Sequence, residues 1–389
     1  MLNRCAVSTL LALSVAPTFV GPASAQNTIK LGMVMPLTGP LATAGQQVVA
    51  GARLYISQHG NTVAGKQIEL IVRDDASSAD NGKRLIHEAI VNDKVDIIGG
   101  GPTPDLLGSA ALITEAKKPT VIMLSSTTSV IEKSQYFVRT SCTLAQSSAI
   151  LADWAVQNGL KKAVTLVTDF APGQEAESTF TNNFAAAGGQ ITEAIRVPLR
   201  NPDFAPFLQR VRETAPQVLF VFIPSVQAAA FARQFVERGL DKAGIKLIGP
   251  GDMTDDSALV DMGDAMQGVV TAHFYSAAHP SAVNATFAAA YQKQNNNRAN
   301  FMAVSGYDGM HLIYEALKKT GGSTDAETFM SAMKGMTWES PRGQMSIDRA
   351  TGEVVHNIYI RRVESVGGEL RNVEFVTFNN IRDPRVAAK

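Results

Sequence analysis

Apolar residues recur along this chain in short runs parted by polar, Gly- and Pro-rich turns, and the runs alternate between the strand and helix periods. Residues 29–35 are apolar before Pro36-Leu-Thr-Gly-Pro40 and read as a strand entering a loop. A helix over residues 45–58 would put Val48, Val49, Ala52, Tyr55 and Ile56 on one face. Residues 67–73 alternate Ile68, Leu70 and Val72, a strand that Asp74-Asp75 ends, and Leu85, Ile86, Ala89 and Ile90 mark the helix behind it. Strands 95–98 and 120–124 enclose a helix over 106–117. After Val138-Arg-Thr140 the same alternation restarts, with helices over 147–158, 204–214 and 228–238 and another through Phe180 and Phe184. Its strands fall at 163–168, 191–197, 217–223, 246–248 and 268–274. Helices over 282–292 and 302–320 follow, and the tail is strand-like at 343–347, 356–363 and 373–378. Repeated βα units with short connections predict an α/β protein of two similar lobes, each a parallel doubly wound sheet. No low-complexity linker parts them, so the chain is expected to cross near Thr140, His273 and Gly343. The lobes are then residues 26–141 with 273–343, and 142–272 with 344–389, the crossings acting as a hinge.

Composition narrows the function. The 389 residues carry 35 basic and 35 acidic side chains, so there is no electrostatic footprint for nucleic acid or an anionic membrane. Residues 1–25 read as a signal peptide: Arg4 supplies the positive region, 7–16 the apolar core, and Ala23-Ser24-Ala25 a cleavage site before Gln26. The mature chain is expected to be exported and unanchored, with no apolar run long enough to span a bilayer. Cys5 would leave with the peptide, and Cys142 reads as a buried small hydrophobe.

Chemistry concentrates between Gly99 and Glu132. Strands end there in Gly99-Gly-Gly-Pro-Thr-Pro104 and in Ser125-Ser-Thr-Thr-Ser129, each loop leading toward a helix. Free N–H groups, hydroxyls and helix N-termini suit a small anion, and strand C-terminal ends are where open α/β sheets hold ligands. Ser and Thr also favour ordinary helix starts, so the second loop has a plain capping reading too. Phe170, a large apolar residue in a polar loop, is hard to place in a core. Asp252 reads either as an N-cap or as a cleft acid, with Asp255 and Asp256 competing, and Tyr275 and Tyr307 either line a cleft or cover helix–sheet seams. HExxH, GxSxG, P-loop and CxxC patterns are absent, and the six histidines lack metal-ligand spacing. A hydrolase acting through Ser126 or Thr127 would need a base the sequence does not place there. Capture without cofactor or metal is the expectation, not an enzyme.

The order Val34-Met-Pro-Leu-Thr-Gly39, Ala50-Gly-Ala-Arg53, Asp74-Asp75, Gly101-Pro102-Thr103, Asp169-Phe-Ala-Pro-Gly173, Asn201-Pro-Asp-Phe204 and Gly306-Tyr307-Asp308 resembles the branched-chain amino-acid class of periplasmic substrate-binding proteins. The resemblance spans the mature chain. It implies the type I periplasmic binding fold, two Rossmann-like lobes closing over a ligand destined for an ABC transporter's membrane permease, and a monomer. It carries the ligand carboxylate onto Thr103, Ser126, Thr127, Thr128 and Ser129 in the first lobe. The second lobe would close with Phe170-Ala171, Pro224-Ser225 and Gly251-Asp252, and Tyr307 and Asp308 would approach from a helix. Amino-acid binders of this class usually carry Tyr or Trp where Ala44 stands, and their ammonium-binding acid is displaced by one residue here, at Asp252. Both departures resemble the branch that takes aromatic or other hydrophobic carboxylates. The alternatives are a branched-chain or other amino acid, or a ligand-sensing receptor module.

Overall fold

The computed structural model of the protein describes residues 28–387, and the expected signal peptide lies outside the described residues. A first sheet is built from β1 (Thr28–Met35), β2 (Thr62–Val63), β3 (Lys66–Asp74), β4 (Ile97–Gly100), β5 (Thr120–Ile122) and β6 (Phe137–Arg139). Its order is β2-β3-β1-β4-β5-β6, parallel throughout except for the β2–β3 hairpin. Helices α1 (Ala42–His59), α2 (Ala79–Val91) and α3 (Thr103–Glu115) link its strands. The chain leaves through α4 (Leu144–Gln157), whose start carries a full Thr143/Gln146 capping box.

The second sheet opens with β7 (Lys162–Thr168), β8 (Gln190–Val197), β9 (Val218–Phe222), β10 (Lys246–Pro250) and β11 (Val270–His273), joined by α5 (Ala171–Ala186), α6 (Ala205–Thr214) and α7 (Ser225–Glu237). These parallel strands lie in the order β8-β7-β9-β10-β11, which repeats β3-β1-β4-β5-β6 of the first sheet. β9 is buried at every residue, Val218 to Phe222, because helices cover both faces of a parallel sheet.

The chain then returns to the first sheet as α8 (Ala282–Asn295), α9 (Phe301–Lys319) and α10 (Ala326–Met333). α9 lies against α1 with backbones nearly touching: a Cβ on Gly51 would overlap the Ala303 carbonyl oxygen, and one on Gly306 the Val48 carbonyl oxygen. Finally β12 (Thr337–Ser340), β13 (Gly343–Ile347), β14 (Val354–Val366) and β15 (Glu369–Ile381) extend the second sheet beyond β11, every new pairing antiparallel, before the short α11 (Pro384–Ala387). The parallel pattern expected from sequence therefore holds for the heart of each sheet, and the tail adds an antiparallel flank.

The structure departs from the sequence expectation at the ends of that return to the first sheet, and it adds β2, β6, β12 and α10, which the sequence pattern does not mark. His273 ends β11 and residues 337–340 form β12, so the excursion to the first sheet is shorter than 273–343 at both ends. Of β12 only Ser340 is buried, too little apolar signal to mark a strand.

Three connections pass between the sheets, and Arg342 meets two of them and stands beside the third. Its buried guanidinium donates to the carbonyls of Thr140 and of Ser141 (3.1 Å) in the first, stands 4.6 Å from the Phe274 ring centre in the second, and itself lies just past the third. Asp308 of α9 neutralises it at 2.8 Å. Cys142, beside this knot, is buried, and its thiol is pushed far up by loss of water.

Candidate functional site

Strand order reverses between β1 and β4 in the first sheet and between β7 and β9 in the second, so the loops leaving those strands diverge and open a crevice at each switch point. The two crevices meet in one cavity of about 240 Å³. First-turn residues of four helices line it: Thr43 and Ala44 of α1, Thr103 and Pro104 of α3, Ala171 and Pro172 of α5, Ser225 and Val226 of α7. N–H groups in a helix's first turn have no intrahelical acceptor and carry the positive end of its dipole, so they serve an anion.

The first lobe adds hydroxyls. Thr103 Oγ1 lies 2.7 Å from Ser125 Oγ and donates to Thr127 Oγ1 at 3.2 Å. The loop behind them is pinned by Arg139, fully buried, which donates to the carbonyls of Ser125 and of Thr127 (2.9 Å) and pairs with Glu353 at 2.7 Å. Ser141 Oγ donates to the Ser125 carbonyl as well, at 2.6 Å. With its carbonyls engaged from behind, the loop offers Ser125 and Ser126 to the cavity.

The mouth is held by Asp74, which accepts from Leu37 N (2.9 Å), Thr38 N (3.2 Å) and Thr38 Oγ1 (2.7 Å) and stays below its ordinary range through these bonds despite an opposing desolvation cost. Asp75 turns the other way, into the interior, beside Asp105 of α3; burial, then Asp75, push Asp105 up to about 8. Adjacent residues at a strand end thus do separate jobs, as strand geometry requires.

The apolar body is shared between the lobes, with its aromatic stack from the second. Phe170 and Phe222 stack with ring centres 6.0 Å apart and planes 21° apart, Leu199 lies with them, and Leu41, Leu124 and Met302 close the slot from the first lobe. Ala44 leaves that wall open. Asp252, in the turn Gly251–Thr254 after β10, also lines the cavity. Burial pushes its carboxyl up to about 7, with Asp255 adding and Arg361 opposing. A Cβ on Gly251 would overlap the Arg361 guanidinium and the His273 ring, so only glycine lets this turn sit so close.

Of the residues expected to form the site, Thr103, Ser126, Phe170, Ala171, Pro224, Ser225 and Asp252 share this cavity wall. Thr127 stands just behind, bonded to Thr103. Thr128 does not face the cavity: its N–H donates to both Glu175 oxygens (3.0 and 3.1 Å), and its Oγ1 meets Glu175 (2.8 Å) and Asp383 (2.5 Å), joining the first lobe to α5 and the chain end. Burial raises the Glu175 carboxyl, with the Thr128 bonds and Arg385 opposing. Ser129 is solvent-exposed in a 3₁₀ turn. Tyr307 and Asp308 lie elsewhere too: Tyr307 packs on Tyr55 (5.0 Å) and Phe287 (4.9 Å) and donates to Gln58 at 2.7 Å, while Asp308 pairs with Arg342. The close α1–α9 contact turns that part of α9 toward α1. Leu41, Thr43, Gln47, Ser77, Leu199 and Met302 line the cavity without standing out in the sequence. Ser77 takes a left-handed φ of 55° just after Asp74-Asp75.

No carboxylate or imidazole hydrogen-bonds Ser126 or Thr103 among the described residues, and none of their acid, His and Cys groups is arranged to hold a metal. No described helix is long and apolar enough to cross a membrane.

A family model described as periplasmic binding protein matches residues 28–368. The chain is 36% identical over 395 residues, 100% of each partner, to the Leu/Ile/Val-binding protein homolog 6 of Brucella abortus. It is 56% identical to the solute-binding protein of an ABC transporter from Rhodopseudomonas palustris BisB5, solved in complex with 3,4-dihydroxybenzoic acid, with a TM-score of 0.91 over 92% of this chain and 99% of that one. The corresponding protein from R. palustris HaA2, in complex with p-hydroxybenzoic acid, is 37% identical, with a TM-score of 0.90 over 93% and 100%.

Proposed function

Since the chain belongs to the periplasmic binding protein family, we propose that it is the periplasmic solute-binding component of an ABC importer and that its cavity captures an aromatic carboxylate. One observation carries this reading: a single cavity joins a hydroxyl and N–H end in the first lobe to the stacked Phe170–Phe222 slot in the second. Thr103, Ser126 and the α3 N-terminus hold the carboxylate, and Phe170, Ala171, Pro224 and Ser225 cover the ring. A ~150 Å³ apolar cavity suffices for benzene, so about 240 Å³ takes one ring with substituents. Three hydrogen bonds to a carboxylate at ~1.5–3 kcal/mol each, with ~4–6 kcal/mol from burying a ring, exceed the cost of association by about 8 kcal/mol, the micromolar range. The relatives solved with hydroxybenzoic acids support the ligand class. The protein works as a monomer, exported by its signal peptide, and hands the unchanged ligand to a membrane permease after hinge opening between the lobes.

A branched-chain amino acid is the second reading, favoured by Asp252, which could face an ammonium, and by the name of the Brucella relative. Thermal melts of the chain from Gln26 with benzoates, cinnamate, phenylacetate, leucine and valine separate the two. An aromatic acid at about 100 times its Kd should add ~2.7 kcal/mol of stability, several degrees in Tm. A comparable shift with leucine or valine alone would overturn the aromatic assignment.

A further inference from the structure

We propose that Asp252 is the specificity-determining residue of the cavity, receiving a ring hydroxyl so that hydroxylated benzoates are taken over unsubstituted ones and over amino acids; this rests on the aromatic reading above. The acids of its loop are not equivalent. Asp255 is occupied by Ser257 N (2.8 Å), Ser257 Oγ (2.5 Å) and Asn300 Nδ2 (2.7 Å), and Asp256 by Asn372 Nδ2 (3.0 Å). Asp252 alone of the three lines the cavity, and among the described residues no side chain hydrogen-bonds its carboxyl; His273 Nε2 stands 3.9 Å from Oδ2, beyond bonding distance. The cationic neighbour, Arg361, is committed elsewhere, to Thr271 Oγ1 (3.1 Å), Thr254 Oγ1 (3.4 Å) and the Tyr275 carbonyl. His273 is buried and kept neutral, first by loss of water and then by Arg361.

The geometry sets the ligand's orientation. Hydroxyls and the α3 N-terminus on the first lobe take the carboxylate, so the far end of the ring is presented to the second lobe, where Asp252 stands. A phenolic hydroxyl suits a carboxyl that is half-protonated near neutral pH, donating to the carboxylate form and accepting from the acid form. An ammonium suits only the carboxylate, so binding it at pH 7 must release a proton.

Titration calorimetry on the chain from Gln26 tests this with benzoate, 4-hydroxybenzoate, 3,4-dihydroxybenzoate and leucine, in two buffers of different ionisation enthalpy. Wild type should bind 4-hydroxybenzoate about 30-fold more tightly than benzoate, the range of one hydrogen bond to a charged or half-charged group. In Asp252→Ala that preference should fall below about threefold while benzoate affinity holds or rises, because no polar group is left unpaired. Asp252→Asn, which keeps a donor and an acceptor at the same place, should retain a preference of at least about fivefold, and it decides the matter if the Ala variant does not fold. An undiminished hydroxyl preference in a folded Ala variant overturns the assignment. So does equal binding of benzoate and 4-hydroxybenzoate by wild type, although the aromatic reading would then stand. Leucine binding with buffer-dependent proton release, and no aromatic binding, would remove both.

Discussion

The two lobes share one strand order and differ in what they place at its switch point. The first lobe presents Thr103 at the start of α3 and, on a loop pinned by Arg139, Ser125 and Ser126, while the second presents the Phe170–Phe222 stack and Asp252. On the proposed reading, topology decides where a ligand goes, and the few residues after each strand decide which end of it each lobe reads. The polar end is also the more heavily braced one, since its hydroxyls point correctly only while the carbonyls behind them are held.

The largest effect expected comes from separating the lobes. Arg342→Ala leaves Asp308 buried without its partner, which should cost about 3–5 kcal/mol and part the calorimetric melt into two transitions. A single transition at the wild-type temperature would mean that the lobes are joined by other contacts.

Next, Phe170→Ala should weaken binding of aromatic acids by about 2–3 kcal/mol and leave the melting temperature of the free protein within a few degrees, because Phe170 is a cavity wall. Thr103→Val is its counterpart on the other lobe, expected to weaken every carboxylate ligand alike by about 1.5 kcal/mol. If ring size rather than the carboxylate governs its effect, the division of labour between the lobes is wrong.

The first lobe also holds a pH-sensitive buried acid apart from its Arg139 brace. Asp105 is held protonated up to about 8, above the value of a free Asp carboxyl. The folded chain thus keeps a proton that the unfolded chain gives up, and this contribution, full at low pH, is lost as pH rises through 8. Asp105→Asn should flatten the decline in Tm between pH 5 and 9 and add about 2 kcal/mol at pH 9. The smallest effect belongs to Ser129→Ala, expected within about 0.5 kcal/mol for both binding and stability because the side chain lies in solvent.

Much of this architecture is written in the periodicity of the chain. The strands that become β1, β3, β4, β5 and β7 to β11 each show as an apolar run ended by turn residues, and the loops after β4, β7 and β9 supply much of the cavity wall. What stays hidden depends on contacts remote in sequence. Nothing local separates Ser126, which faces the cavity, from Thr128, which faces Glu175, because the rotation of one tight turn decides it. Nor does a lone Arg in a strand-like tail announce itself as a buried tie; Arg342 meets Thr140 and Ser141 some 200 positions away. Gly51 and Gly306 belong to the motifs of the family resemblance, yet their role is to let α1 and α9 approach, far from any ligand group. Tyr307 stands beside one of them and packs into the same helix seam.

The placement of α9 and β14 has a consequence for how the molecule is made. α1 has no cover until α9 is available, and β11 has no outer neighbour until β14 has been synthesised, so each half waits for a segment from the last quarter of the chain. Closing loops of that length before any contact rewards them slows folding. On the proposed export route, a chain whose lobes close this late would stay open for passage through a narrow translocation channel.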